Sequence, residues 1–237
     1  MTDVIVRLLR ADNSVQTVRL TPPAPSFIVE TVPGQWEVAA TYLKLGIEHI
    51  LLGVDHLLFV LALLILVKGW RRLVATVTAF TIAHSMTLAA ASLGYVHVPV
   101  RPVEAVIALS ILFVAGEIIH GRRGRPGLTE RRPWVVAFIF GLLHGFGFAN
   151  ALHEVGLPRH AIPVALLFFN VGVEIGQLFF IGCIVTVTAC AVLVAKSQGE
   201  NGDIGKRTFA VSDAVAAYTI GTVAAFWLVE RTLGFVA

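Results

Sequence analysis

Long apolar runs, separated by short polar segments, follow one another along most of the chain. Six of these runs are long enough for an α-helix to cross a hydrocarbon core roughly 30 Å thick, which takes about 20 residues. The predicted transmembrane helices cover residues 43–67, 73–93, 103–120, 134–153, 162–195 and 209–230. The expected fold class is therefore an all-α membrane protein, a bundle of six transmembrane helices.

The fifth run is too long for one straight crossing at about 1.5 Å per residue. Three arrangements are open: the helix tilts strongly, extends into the cytoplasm, or breaks, with Gly182 as the candidate break. Cys183 and Cys190 lie in the same run. We interpret both as small buried residues rather than as a disulfide.

The first forty residues follow a different pattern. Val4–Leu9 and Val15–Leu20 alternate apolar and polar residues as strands do, and a polar, turn-forming segment joins them. A third strand-like run, Phe27–Glu30, follows a proline-rich stretch. Forty residues rarely form an independent core. We therefore predict that residues 1–40 are a short external β-rich segment, the remnant of a larger β-domain, and that residues 41–237 form the transmembrane domain. The alternative is a small strand cap that lies on the bundle.

The composition agrees with a membrane protein. The chain of 237 residues is 57% hydrophobic and 14% charged, whereas soluble domains are about 45–50% apolar and about 25% charged. The net charge of +3 does not indicate a nucleic-acid partner, because the basic residues lie in short loops between apolar runs. The expected partner is the lipid bilayer, and assembly into a homo-oligomer is left open.

The basic residues also predict the orientation of the helices. Eleven Lys and Arg residues lie in the loops after the first, third and fifth runs, whereas the other two loops contain only Arg101 and Arg159. Basic loops remain on the cytoplasmic side. We therefore expect a multi-pass protein of the bacterial inner membrane with both termini on the periplasmic side.

Several apolar runs contain ionisable residues that are costly inside a membrane, at about 2.5–3.5 kcal/mol for a charge at the centre. In the first run, His49 and His56 are seven residues apart and share a helix face, while Asp55 lies about 100° around the axis from His56. Gly53 lies between the two histidines and would let another helix approach closely.

Three further runs contribute polar residues to the same interior. His84 lies in the second run and His144 in the fourth, whereas Asn170, Glu174 and Gln177 form a polar face of the fifth run. Each ionisable residue except His49 lies about ten to twelve residues from its end of the span, or roughly 15–18 Å deep. We expect these groups to meet near the bilayer midplane, with His49 and Asn170 closer to the outside.

Imidazoles and carboxylates at one depth indicate a site for a divalent metal ion. No thiolate or thioether lies at this level, which argues against Cu(I) and leaves Ni, Co, Zn, Fe or Mn. The predicted metal ligands are His49, Asp55, His56, His84, His144, Asn170 and Glu174. We assign no catalytic residue. Close helix packing, and with it gating, is expected at Gly53, Gly141, Gly145, Gly172 and Gly176.

Two sequence motifs suggest a family. His49, Asp55 and His56 form the spacing H-x5-D-H in the first run. Gly141, His144 and Gly145 match part of a second signature, F-H-G-x-[AV]-H-G-x-E, in which Phe140 and Gly147 replace a His and the Glu. With these motifs the chain resembles the HupE/UreJ family of membrane proteins.

The resemblance extends over nearly the whole chain. The runs Thr78–Ser85 and Leu167–Gln177 look like the second branch of that family, in which an external β-rich segment precedes the spans. The resemblance implies a permease for Ni²⁺ or Co²⁺. Two other readings of the residues stay open: an intramembrane metalloenzyme that activates water or oxygen, and a structural or sensory protein whose polar cluster only maintains helix packing.

Overall fold

The computed structural model describes residues 4–9, 15–21, 26, 34–155, 161–197 and 202–236. The chain divides into two compact units, residues 1–34 and 35–237. The first unit contains an antiparallel hairpin of β1 (Val4–Leu9) and β2 (Val15–Leu20), in which Val4 lies opposite Leu20. Both predicted strands are therefore present. The third, Phe27–Glu30, lies outside the described residues, and a larger external domain stays a prediction.

The second unit is helical. Its elements are α1 (Gln35–Leu52), α2 (Val54–Leu66), α3 (Trp70–Ser92), α4 (Val100–Arg122), α5 (Leu128–Arg131), α6 (Pro133–Val155), α7 (Ile162–Ser197) and α8 (Gly202–Val236). In the described part of the chain, α3, α4, α7 and α8 contain segments long and apolar enough to cross a membrane. The bent pair α1–α2 makes a fifth span if the two helices cross the membrane together, and the apolar part of α6 is shorter. The protein is thus a multi-pass helical membrane protein, while the count of six spans stays a prediction.

The first predicted span is broken. We predicted one helix over residues 43–67, but α1 and α2 meet at Gly53 with a bend of 71°. The prediction of a continuous helix was wrong because Gly53 adopts an extended conformation, φ −78° and ψ 92°, and glycine has little preference for the helix. The helix also begins earlier than predicted, at Gln35.

The fifth predicted span, α7, is one continuous helix from Ile162 to Ser197. Gly182 does not break it. Cys183 and Cys190 are exposed, so the prediction that they are buried was wrong. A helix that is apolar all round looks like a core helix in the sequence, but a lipid-facing helix has the same composition because lipid tails are equally apolar.

The most extensive helix contacts in the described structure join α3 to α6, α1 to α7 and α4 to α8. Glycines let the first two pairs approach closely. A Cβ atom on Gly141 would lie 2.5 Å from the carbonyl oxygen of Phe80, and one on Gly172 would collide with the carbonyl oxygen of Leu43. Close packing was predicted at both glycines, and their contacts agree with it.

Two apolar clusters form the core of the helical unit. One is built around Phe59, Phe80 and Ile111, and the other around Tyr42, Ile50 and Phe169. Polar residues that lie between these clusters are therefore shielded from water by aromatic and aliphatic side chains.

Candidate functional site

Three histidines from three helices meet next to the break in the first span. His49 in α1, His56 in α2 and His84 in α3 each offer a ring nitrogen, and these nitrogens all lie within 4.8 Å of one another. The ring centroids of His49 and His56 are 4.6 Å apart. In an unbroken helix, seven residues would separate them by about 10.5 Å along the axis. The break at Gly53 therefore brings the two rings together.

The ring nitrogens of this cluster lack hydrogen-bond partners. Among the described residues, His49 Nε2, His84 Nε2 and both ring nitrogens of His56 are buried and unpartnered. Leaving a buried polar atom unpaired costs about 1–3 kcal/mol, and proteins rarely tolerate several such atoms together. An ion bound by these nitrogens would satisfy them, so the residues fit a metal ion on chemical grounds.

Asn170 on α7 orients His84. Its Nδ2 donates to the carbonyl oxygen of Leu166 at 2.7 Å, which turns its Oδ1 towards His84 Nδ1 at 3.3 Å. An amide oxygen can only accept, so His84 Nδ1 carries the proton in this contact and Nε2 keeps its lone pair for the cluster. This is how a partner on one imidazole nitrogen prepares the other for a metal.

His144 on α6 has the same arrangement with a different partner. Ser110 Oγ on α4 donates to the carbonyl oxygen of Ile107 at 2.6 Å, so it accepts from His144 Nε2 at 2.9 Å. The other nitrogen, Nδ1, is buried without a partner. The ring lies 5.3 Å from that of His56. His144 therefore flanks the three-histidine cluster and presents an available lone pair beside it.

Asp55 is not part of the cluster. It lies in the first turn of α2, and its Oδ2 accepts from Arg231 Nη1 on α8 at 2.8 Å. The same guanidinium donates to the carbonyl oxygen of Glu104 at 2.9 Å and stacks over the ring of Trp227. The role of Asp55 as a metal ligand stays a prediction, and Arg231 was not among the residues predicted from the sequence.

Glu174 also lies outside the three-histidine cluster. Its Oε1 accepts from Thr78 Oγ1 of α3 at 2.6 Å. The structure thus places His49, His56 and His84 together, with His144 and Asn170 in contact with them and with Asp55 and Glu174 in other contacts.

Aromatic rings enclose the histidines. Phe148 lies 4.0 Å from His49 between ring centroids, and Phe59 and Phe80 lie 5.3 and 5.1 Å from His144. These rings exclude water, and the face of an aromatic ring attracts cations. These phenylalanines were not among the predicted site residues, because a phenylalanine in an apolar run carries no signal that separates the wall of a site from ordinary core.

The cluster has the chemistry of a site for a borderline divalent cation. Imidazole nitrogens suit Ni, Cu, Zn and Fe. Three protein nitrogens leave further coordination positions open. Such a site can bind an ion reversibly during passage or hold one for chemistry.

A comparison with protein-family models adds independent information. The model described as HupE / UreJ protein matches residues 26–231, which include every residue of the site described above. Comparisons with curated proteins and with solved structures find no match.

Proposed function

Because the chain belongs to the HupE/UreJ family, we propose that it is a permease for a divalent transition-metal ion of the Ni²⁺ or Co²⁺ type. His49, His56 and His84 bind the ion in transit. The observation that carries the proposal is the group of three imidazoles within 4.8 Å, with unpartnered nitrogens facing one another in a membrane interior. A polar network that served only packing would pair these atoms with each other or with the backbone.

The ligand set suits an ion that has to leave again. Three neutral imidazoles bind a divalent cation without a carboxylate in direct contact. The complex therefore keeps a net charge of about +2, and the ion is attracted to the next anionic group. His144, whose ring lies 5.3 Å from that of His56, supplies a further nitrogen. Conduction requires binding that is strong enough for entry and weak enough for release.

The broken first span supports transport in a second way. Discontinuous helices are a recurring feature of transporter binding sites, where the ends of the half-helices face the ion. Non-helical backbone at membrane depth is tolerated only where protein or a cavity covers it. The bend of 71° between α1 and α2 lies next to the proposed site. In this proposal the ion enters from the predicted periplasmic side past His49 and Asn170.

The test is metal binding and uptake by purified protein. Wild type in proteoliposomes should take up Ni²⁺ or Co²⁺, and His56→Ala and His84→Ala should lower both affinity and uptake at least tenfold. His120→Ala is the matched control, because His120 is exposed and its ring nitrogen Nδ1 bonds to the carbonyl oxygen of Gly116 in its own helix. Equal metal content in wild type and in both cluster variants would refute the proposal.

A second candidate function is an intramembrane metalloenzyme. It is favoured by the three-nitrogen ligand set, which resembles catalytic zinc sites that keep one position for water or substrate. The same experiments separate the two functions. Stoichiometric metal retained by wild type without any transmembrane flux would favour the enzyme.

A further inference from the structure

A second group of polar side chains joins α3 to α7 beyond the histidines. Glu174 Oε1 accepts from Thr78 Oγ1 at 2.6 Å, while Glu174 Oε2 is buried and has no hydrogen-bond partner. No Lys or Arg forms an ion pair with this carboxylate among the residues that the structure describes. A carboxylate inside a membrane is costly unless a cation or several donors compensate it.

An amide and a second hydroxyl extend this group. Thr81 Oγ1 donates to Gln177 Oε1 at 3.0 Å, and both side chains are buried. Thr78 and Thr81 are three residues apart on α3, and Glu174 and Gln177 are three residues apart on α7. Each pair therefore lies on one face of its helix. The polar side-chain atoms of Thr78, Thr81 and Glu174 are all oxygens. Gln177 adds one oxygen and one amide nitrogen.

The group of Thr78, Thr81, Glu174 and Gln177 lies next to the histidine cluster along α3 and α7. Asn170, which contacts His84, lies one turn before Glu174 on α7, a rise of about 6 Å. Thr81 and Thr78 precede His84 by three and six residues on α3, which corresponds to about 4.5 and 9 Å. Both lie towards the Trp70 end of α3, the end predicted to be cytoplasmic.

We propose that Thr78, Thr81, Glu174 and Gln177 form a second cation site, which receives the ion from the histidines and releases it towards the cytoplasm. This inference rests on the proposed permease function. Oxygen ligands hold borderline ions such as Ni²⁺ less tightly than imidazoles do, so affinity falls along the path. The carboxylate supplies the negative charge that the histidine cluster lacks, and its unpartnered oxygen is the ligand available to the ion.

The two sites differ in ligand chemistry, and this difference makes them separable. Carboxylate, hydroxyl and carbonyl oxygens suit Mn²⁺, whereas imidazoles suit Ni²⁺. Purified full-length protein is titrated with Mn²⁺, followed by electron paramagnetic resonance, and with Ni²⁺, followed by thermal stabilisation. Glu174→Gln should weaken Mn²⁺ binding at least tenfold and leave Ni²⁺ affinity within about twofold. His84→Ala should do the reverse.

Uptake into proteoliposomes provides the functional readout. Glu174→Gln keeps the size of the side chain and the acceptor for Thr78, so a packing role predicts normal uptake. A release site predicts at least a tenfold slower Ni²⁺ uptake, with Glu174→Asp retaining more activity than Glu174→Gln. Glu48→Gln is the control, because this carboxylate is partly exposed and pairs with Lys44 one turn away at 3.6 Å.

Each outcome decides between the alternatives. Wild-type uptake and Mn²⁺ binding in Glu174→Gln would overturn the second site and leave the permease intact. Loss of Ni²⁺ affinity in Glu174→Gln would also overturn it, since Glu174 would then belong to the histidine site. Absence of any Ni²⁺ uptake by wild type would refute the permease itself, and this inference with it. Unchanged melting of the metal-free variant checks folding, and the Asp variant is used if the Gln variant does not fold.

Discussion

The ion pair between Asp55 and Arg231 tests which contact fixes α2, the second half of the broken span, against α8. It joins the first turn of α2 to α8 at 2.8 Å, and the side chains are only 22% and 19% exposed. We predict that Asp55→Ala and Arg231→Ala each destabilise the protein, because each leaves one charge without its partner in a mostly buried place.

The distance gives the magnitude. Two unit charges at this separation attract by about 6 kcal/mol at an effective dielectric constant of about 20, and desolvation of the two ions offsets several kcal/mol of that. A charge-assisted hydrogen bond contributes about 1.5–3 kcal/mol net. Since about a fifth of each side chain is exposed, we expect a coupling free energy of about 2 kcal/mol.

A double-mutant cycle measures this coupling. The free energy of unfolding is determined in detergent for wild type, Asp55→Ala, Arg231→Ala and the double variant, with and without Ni²⁺. If Asp55 acts through the ion pair, the two single variants should lower Ni²⁺ affinity equally. The double variant should then bind Ni²⁺ no more weakly than either single variant. A coupling below about 0.5 kcal/mol, the level of an exposed pair, would refute the structural role. Loss of Ni²⁺ affinity in Asp55→Ala but not in Arg231→Ala would instead make Asp55 a ligand.

Two further predictions concern packing and topology. Gly172→Ala should destabilise the protein by about 1–3 kcal/mol through overpacking against α1. Gly182→Ala on the same helix should be neutral or stabilising, because a Cβ there meets nothing within 4 Å. Denaturation in detergent measures both free energies of unfolding, and equal effects would contradict the packing account. The topology is tested with single cysteines at positions 125 and 203, introduced after Cys183 and Cys190 have been replaced by serine. Neither cysteine should react with an impermeant thiol reagent added to intact cells. Labelling of either one would contradict the predicted orientation.

The helices were predictable from hydropathy, because apolar runs about 20 residues long have few other stable arrangements. The break at Gly53 was not. A glycine within an apolar run is equally typical of a close helix contact, as at Gly172, where the helix continues. What distinguishes Gly53 is the bend itself, which crowds the two histidines against it: a Cβ there would lie 2.8 Å from His56 Nδ1 and 2.7 Å from the carbonyl oxygen of His49.

The candidate site was predictable in depth but not in direction. Counting residues from the ends of the spans placed His56 and His84 at one level, and both belong to the cluster. His49 was expected closer to the outside, but the bend at Gly53 brings it beside them. Depth does not specify which neighbour a side chain faces. Adjacent residues on a helix differ by about 100°, so Asp55 faces α8 while His56 faces the cluster. Arg231 was missed because a basic residue near the end of a span usually reaches the interface.

The electrostatics of the break give an acidic residue a role there that is separate from metal binding. The end of α1 near His49 is the negative end of a helix dipole and favours a bound cation, whereas the start of α2 near His56 is the positive end and opposes it. Asp55 lies in the first turn of α2, where a carboxylate stabilises the helix terminus by about 0.3–1 kcal/mol or more when partly buried. Its pairing with Arg231 holds the carboxylate against α8 and away from the imidazoles. The break therefore leaves the negative end of α1 to favour the ion, while the carboxylate of Asp55, paired with Arg231, stabilises the start of α2.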